Sequence, residues 1–211
     1  QRNSHQMTDL YAQIVTVFLG FFAIMNPIAN TAAFAGLVGN MSRAEEIKIA
    51  AKALIITFVV IAAFALLGKG IFHVFGITIS AMRIAGGILV FLVGYHMING
   101  HGSSLHSAEA HDDSDIAVSP LAVPLLAGPG TIATAMNFSA SEAISGILVT
   151  VSVFAVLCVI TFFCFIFSSN ILNVIGKSGL SIVTRLMGLI LAVIGTEMLI
   201  TGVTTVVAGM S

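Results

Sequence analysis

Long apolar runs separated by short polar stretches make up most of the chain. The longest stretches without Lys, Arg, Asp or Glu are residues 10–42, 53–68, 84–108, 116–141, 143–176 and 198–211. A helix needs about 20 largely apolar residues to cross a bilayer, so several stretches suffice alone and others suffice once a charged residue near one end is included. The pattern predicts six membrane-spanning helices, at 10–37, 46–68, 80–100, 117–140, 143–168 and 182–207.

Composition agrees with this pattern and excludes an ordinary soluble domain. The chain is 58% hydrophobic and 8% charged, whereas a soluble domain is about 25% charged. We therefore predict an all-α integral membrane protein embedded in the lipid bilayer, and we expect no nucleic-acid partner.

The second half of the sequence repeats features of the first at an offset of 102 residues. This offset places Arg83 on Arg185, and six of the 22 positions in 79–100 are identical to those in 181–202. Each copy holds three spans, an odd number, so the second copy must cross the membrane in the opposite direction, as in many secondary transporters. We predict a first three-helix repeat at 1–100, a linker at 101–116 and an inverted second repeat at 117–211.

The linker sequence HGSSLHSAEAHDDSD is polar and contains three histidines. Their spacing of five does not keep all three on one helix face, and the Gly and Ser residues favour a solvated linker. A metal site at His101, His106 and His111 is the alternative interpretation. We assign no metal and no cofactor to the protein.

Helix-breaking residues lie in the middle of span 1 and of its repeat equivalent, span 4. In the first, FFAIMNPIANTAAF contains Asn26-Pro27, and in the second, LAVPLLAGPGTIATAM contains Gly128-Pro129-Gly130. Proline lacks the backbone donor and clashes with the preceding turn, and glycine is a poor helix former. Spans 1 and 4 are therefore both predicted to be discontinuous helices.

A break at membrane depth frees backbone groups that lipid cannot satisfy, so it survives only where it faces protein, water or a ligand. The two ends of a broken helix carry opposite partial charges, which suits a zwitterion with its carboxylate on the N–H groups and its ammonium on the carbonyls. Nearby amides and hydroxyls add hydrogen bonds, and flanking alanines favour a small solute. Kinks that serve helix packing alone are the alternative. The predicted substrate-binding residues are Asn26, Pro27, Asn30, Thr31, Gly128, Pro129, Gly130, Thr131 and Thr134.

A resemblance to a known family rests on four segments: MNPIANTAAF, FGITISAMRIAGGILV, PLAVPLLAGPGTIAT and GKSGLSIVTRLMGLILAVIG. They resemble the MarC family of six-span bacterial inner-membrane proteins, also called the small neutral amino acid transporter family, over nearly the whole chain. The resemblance implies transport of small neutral amino acids such as glycine, alanine or serine. It also implies a bacterial inner-membrane location, with coupling to protons or Na⁺ as a further expectation.

Charged residues within the later spans are of two kinds. Arg83 and Arg185 open spans 3 and 6 at equivalent positions, where they either snorkel to the headgroups or form a buried pair that braces the two halves. Glu197 lies about fifteen residues into span 6, and an acid at such a depth is a functional hypothesis by default. We hypothesise that it relays protons or binds an ion. The alternative is a neutral acid packed near the far interface, beside Arg83 or His96.

The distribution of basic residues predicts the orientation. The side that holds loops 1–2, 3–4 and 5–6 carries Arg43, Lys48, Lys52, Lys177 and Arg185, and the other side carries Arg2, Lys69 and Arg83. Because cytoplasmic loops are enriched in Lys and Arg, we expect those three loops to be cytoplasmic and both termini to be periplasmic.

Two other function classes fit the sequence less well. A passive channel of the aquaporin type pairs two Asn-Pro motifs in re-entrant loops, whereas the second break here has no asparagine and no following arginine to guard a pore. An intramembrane hydrolase would need a motif such as His-Glu-x-x-His or Gly-x-Ser-x-Gly, and neither is present. The channel is the alternative to a transporter, and we predict no enzyme activity.

Overall fold

The structure is a computed structural model that describes residues 2–38, 41–99, 126–140 and 144–210. Within these residues every regular element is a helix. The helices are α1 (Arg2–Met25), α2 (Pro27–Leu37), α3 (Arg43–Phe75), α4 (Ile79–Ile98), α5 (Pro129–Ala140), α6 (Ile144–Ile166) and α7 (Ser168–Met210).

Five helical stretches of the described chain are long and apolar enough to cross a membrane. They are Gln6–Ala35, which comprises most of α1 and α2, together with α3, α4, α6 and α7. This finding confirms an all-α integral membrane protein. The span predicted at 117–140 is described only from Leu126 onward, so the count of six remains a prediction. The linker, with His101, His106 and His111, lies outside the described residues.

The ends of α3 and α4 follow from local sequence signals. Ser42 and Glu45 form a reciprocal capping box, because the Ser42 side chain accepts from the Glu45 N–H at 3.4 Å and the Glu45 carboxylate accepts from the Ser42 N–H at 3.1 Å. The helix ends at Gly76, whose φ of 65° is the left-handed conformation that glycine adopts without strain. Thr78 then caps α4 by accepting the Ala81 N–H at 3.1 Å.

The boundary between spans 5 and 6 differs from the prediction. The sequence places the end of span 5 at residue 168 and the start of span 6 at residue 182. In the structure the helical path continues through Phe167, which bonds backward to Phe163 and forward to Ile171 at 3.0 Å each. The chain leaves helical geometry at Gly176, where φ is 68° and ψ is 176°. The apolar pattern missed this boundary because the change of direction is made by a glycine and not by a polar loop.

Helices α4 and α7 pack closely enough that no side chain fits between them. A Cβ atom on Gly94 would lie 2.5 Å from the Gly188 carbonyl oxygen, and one on Gly195 would lie 2.6 Å from that of Gly87. Position 94 meets 188 while position 87 meets 195, so the two helices run antiparallel. Small residues let membrane helices approach in this way.

Two pairs of equivalent helices from the predicted copies pack against each other: α4 contacts α7, and α3 contacts α6. The short helices α2 and α5, which are equivalent at the 102-residue offset, each pack on helices of the other copy. Helix α2 packs on α6 and α7, whereas α5 packs on α1, α3 and α4. This arrangement agrees with an inverted repeat. The repeat as a whole remains a prediction, because the first part of the second copy lies outside the described residues.

The glycine contact yields a stability prediction. Gly195→Ala places a methyl group 2.5 Å from the Phe91 backbone nitrogen, so the helices must separate, and we expect a loss of about 1–3 kcal/mol. The measurement is the melting temperature of the purified protein in detergent. Gly70→Ala is the control, because nothing lies within 4 Å of its new methyl group and alanine favours the helix. Equal melting temperatures for both variants would contradict the close contact.

Candidate functional site

The first break is centred on Asn26, between α1 and α2. Its φ of 42° and ψ of 72° place it in the left-handed region, and it is the one non-glycine residue with positive φ among the described residues. Asparagine tolerates this conformation better than other side-chain-bearing residues. Its N–H donates to the Phe22 carbonyl at 2.9 Å, which ends α1 in the manner of a left-handed cap.

The break leaves carbonyl groups of α1 without their helical donors. Pro27 has no N–H to offer to the Ala23 carbonyl, and no bond joins the Ile28 N–H to the Ile24 carbonyl across the turn at Asn26. No described residue donates to either oxygen, and both residues are buried. A buried carbonyl without a donor is uncommon in proteins, so these two groups mark a polar spot within an apolar segment.

Two side-chain amides form hydrogen bonds with other backbone groups at the break. The Asn26 Oδ1 atom accepts the Ala29 N–H at 3.3 Å, and the Asn30 Nδ2 group donates to the Met25 carbonyl. In an unbroken helix the Ala29 N–H would bond the Met25 carbonyl directly. The amides thus replace one lost backbone bond with two side-chain bonds, and we call this arrangement the amide clasp.

The threonine hydroxyls predicted to bind substrate are bonded within their own helices. Thr31 donates to the Pro27 carbonyl at 2.6 Å, and Thr134 donates to the Gly130 carbonyl at 2.8 Å. Thr131 is buried beside them. In this conformation the hydroxyl protons of Thr31 and Thr134 therefore serve the helices, and a ligand would meet only their acceptor lone pairs.

The second break coincides with the start of α5. The helix begins at Pro129, and the Ile132 N–H donates to the carbonyl of buried Gly128 at 3.0 Å. The N–H groups of Gly130 and Thr131 belong to the first turn, which has no carbonyl of its own helix to bond. Because residues before Leu126 are not described, the discontinuity of span 4 remains a prediction.

The structure brings the Asn26 break beside the start of α5. A Cβ atom on Gly130 would lie 2.8 Å from Ile24 Cδ1, two residues before Asn26, and one on Gly20 would lie 2.8 Å from the Phe138 ring. Helices α1 and α5 therefore run antiparallel, with the Asn26 break beside the first turn of α5. The carbonyl end of α1 meets the N–H ends of α2 and α5, and these ends carry opposite partial charges.

The arginines do not form a pair with each other. Arg83 is half-buried, and its Nε donates to Asn137 Oδ1 at 3.1 Å, which ties α4 to α5. Arg185 is exposed and bonds no described residue. From the α4–α7 register, the two lie about 20 Å apart along the helix axes. Arg83 thus links two helices through Asn137, a polar residue within span 4 that the apolar pattern did not single out, and the predicted pair of arginines is wrong.

Glu197 lies on an exposed face of α7. The α4–α7 register places it at the depth of Ala85. It makes no hydrogen bond or ion pair with a described residue, since Arg83 bonds Asn137 and the His96 ring bonds the Leu92 carbonyl at 2.7 Å. The role of Glu197 in proton or ion coupling remains a prediction.

Comparison with known proteins places these features in a family. The profile for MarC family integral membrane proteins matches residues 11–207. The membrane protein YvbG of Bacillus subtilis is 41% identical, covering 90% of this chain and 93% of its own. A Pyrococcus horikoshii membrane protein is 35% identical, covering 93% of this chain and 97% of its own. The inner membrane protein MarC of Salmonella typhimurium is 30% identical, covering 95% of this chain and 98% of its own. No solved structure matches significantly.

The Arg83–Asn137 contact yields a coupling prediction. A hydrogen bond from a charged donor contributes about 1.5–3 kcal/mol, so a double-mutant cycle of Arg83→Gln and Asn137→Ala should show coupling of about that size in thermal or denaturant unfolding. A cycle of Arg185→Gln with Asn137→Ala is the control and should show none. Additive effects in the first cycle would show that the bond does not stabilise the fold.

Proposed function

Because the chain belongs to the MarC family of integral membrane proteins, we propose that it is a secondary transporter of small neutral amino acids of the glycine, alanine and serine class. The observation that carries the proposal is the contact between the Asn26 break and the start of α5 inside the bundle of apolar helices. Secondary transporters commonly bind substrates where discontinuous helices expose their ends near the bilayer midplane.

The charges of an amino acid complement the free groups at the breaks. The Ala23 and Ile24 carbonyls supply acceptors for an ammonium group, and the N–H groups of Ile28, Gly130 and Thr131 supply donors for a carboxylate. Both sets belong to helix ends whose partial charges favour the same assignment. The binding groups are thus mainly backbone groups, so the site recognises the part that all amino acids share.

Selection of small side chains follows from close packing around these ends. Ala127, Ala133 and Ala135 are buried on the side of the second break, and a Cβ atom on Gly86 would lie 3.0 Å from that of Ala133. An amino acid with a large side chain would have to displace these helices. Glycine, alanine and serine would not.

Transport also requires a location and a driving force. We place the protein in the inner membrane, because the Salmonella typhimurium relative is named an inner membrane protein. We place both termini in the periplasm on the balance of Lys and Arg between the two sides. Protons or Na⁺ are the proposed coupling ions. Glu197 is the candidate proton carrier, since it is the one carboxylate deep within a predicted span.

Uptake by proteoliposomes tests the proposed function. We expect saturable uptake of radiolabelled alanine that glycine and serine compete away and that tryptophan does not. Linear, non-competable flux would indicate the channel alternative, and absence of amino acid flux from a folded, reconstituted protein would refute the transporter.

The Gly130 position tests whether the breaks form the site. Gly130→Val directs methyl groups into the space of Ile24, whose Cδ1 atom would lie only 2.8 Å from a Cβ atom at position 130, and we expect alanine uptake to fall at least tenfold with normal membrane insertion. Adding Ile24→Ala should restore part of the uptake. Gly70→Val, with open space around it, is the control for a β-branched residue in a helix. Full uptake by Gly130→Val would place the site elsewhere.

Glu197 yields a separate prediction about coupling. If its carboxyl carries the proton, Glu197→Gln should abolish the dependence of uptake on a pH gradient while leaving exchange of alanine across the membrane partly intact. The measurement is uptake with and without an imposed gradient, compared with exchange at equal pH. Unchanged dependence on the gradient would assign Glu197 a packing role.

A further inference from the structure

The two amides of the clasp make the same kinds of hydrogen bond that the two charged groups of a zwitterion would make. The Asn26 side-chain oxygen accepts the Ala29 N–H at the start of α2, and the Asn30 amide donates to the last carbonyl of α1. The carboxylate and ammonium groups of an amino acid would offer an acceptor and a donor of the same kinds. Both asparagines are enclosed, with 5% and 7% of their surfaces exposed, so neither amide is a solvated surface group.

We infer that the amide clasp is an internal competitor for the substrate, which binds by displacing it. This inference rests on the proposed function and deepens it. When the two amides swing away, the Ala29 N–H and the Met25 carbonyl join the free groups on α1, α2 and α5. The zwitterion then takes over the bonds that the asparagines made, so no buried backbone group is left without a partner.

The clasp also defines the substrate class. A ligand that supplies both a carboxylate and an ammonium replaces both clasp bonds. A simple carboxylate or a simple amine replaces only one, and the other buried backbone group loses its partner at a cost equivalent to about five- to 150-fold in affinity. Propionate and ethylamine should therefore bind at least five-fold more weakly than alanine.

Substitutions at Asn26 distinguish an internal competitor from a direct substrate ligand, because the two roles predict opposite changes in the affinity for alanine. Asn26→Gly keeps the left-handed backbone but removes the acceptor of the Ala29 N–H, so a competitor role predicts tighter binding of alanine. Asn26→Asp keeps an acceptor there and strengthens it, since a negative charge is favoured at a helix N-terminus, and predicts weaker binding. A side chain that holds the substrate ammonium would give the reverse order.

The experiment measures binding of L-alanine to the purified full chain in detergent by calorimetry. We expect Asn26→Gly to bind about five- to 150-fold more tightly than the parent, and Asn26→Asp to bind more weakly. Asn30→Ala should also bind more tightly while melting at a lower temperature without alanine, because the Met25 carbonyl has lost its donor. If Asn30→Ala fails to fold, the two Asn26 variants decide the matter.

Ser139→Ala is the matched control. Its buried hydroxyl bonds the Ala135 carbonyl within α5 at 2.8 Å, and its loss should leave alanine affinity unchanged. If the parent binds alanine but Asn26→Gly weakens binding and Asn26→Asp tightens it, the clasp is overturned and the proposed function stands with Asn26 as a ligand. If the folded parent binds none of glycine, alanine and serine, the proposed function fails, and the competitor role fails with it.

Discussion

Hydrocarbon offers no hydrogen bonds to a broken helix, so every backbone group that a break frees must find a partner within the protein, water or a ligand. At Asn26 this constraint decides the local structure. Pro27 removes the backbone donor of one α1 carbonyl, and the left-handed turn removes that of another. The amides of Asn26 and Asn30 supply hydrogen bonds to the Ala29 N–H and the Met25 carbonyl. The groups they cannot reach lie beside the start of α5.

The break can hold its shape because it is packed against a rigid frame. Helices α4 and α7 meet through glycines with backbone atoms in direct contact, so they cannot slide or rotate without collision. Helix α5 is seated on this frame where Ala133 faces Gly86, and Arg83 anchors its far end through Asn137. The frame thereby fixes the position of Gly130 against Ile24.

The sequence predicts those features that depend on one residue's covalent structure. The break at Asn26-Pro27 follows from the missing proline donor. Features that depend on distant partners were not predictable. Asn137 lies 54 residues from Arg83, and the amide that satisfies the Met25 carbonyl is determined by a left-handed turn that no pattern of apolar residues encodes. Likewise, the sequence predicts how deep Glu197 lies within its span, but it does not predict that Glu197 lies on an exposed face of α7.

The two kinds of contact also divide the bundle into parts that can move and parts that cannot. The glycine contact between α4 and α7 depends on fitted backbone surfaces, and any shift exchanges contact for collision or a void. The amide clasp consists of hydrogen bonds that, in the proposed mechanism, the substrate replaces one for one, so opening it need not leave a buried backbone group unsatisfied. In the proposed transporter, opening of the site would therefore move α2 at the Asn26 break, while α4, α7 and the α5 helix that is seated on them remain together. The residues that close the site are then distinct from those that hold the bundle.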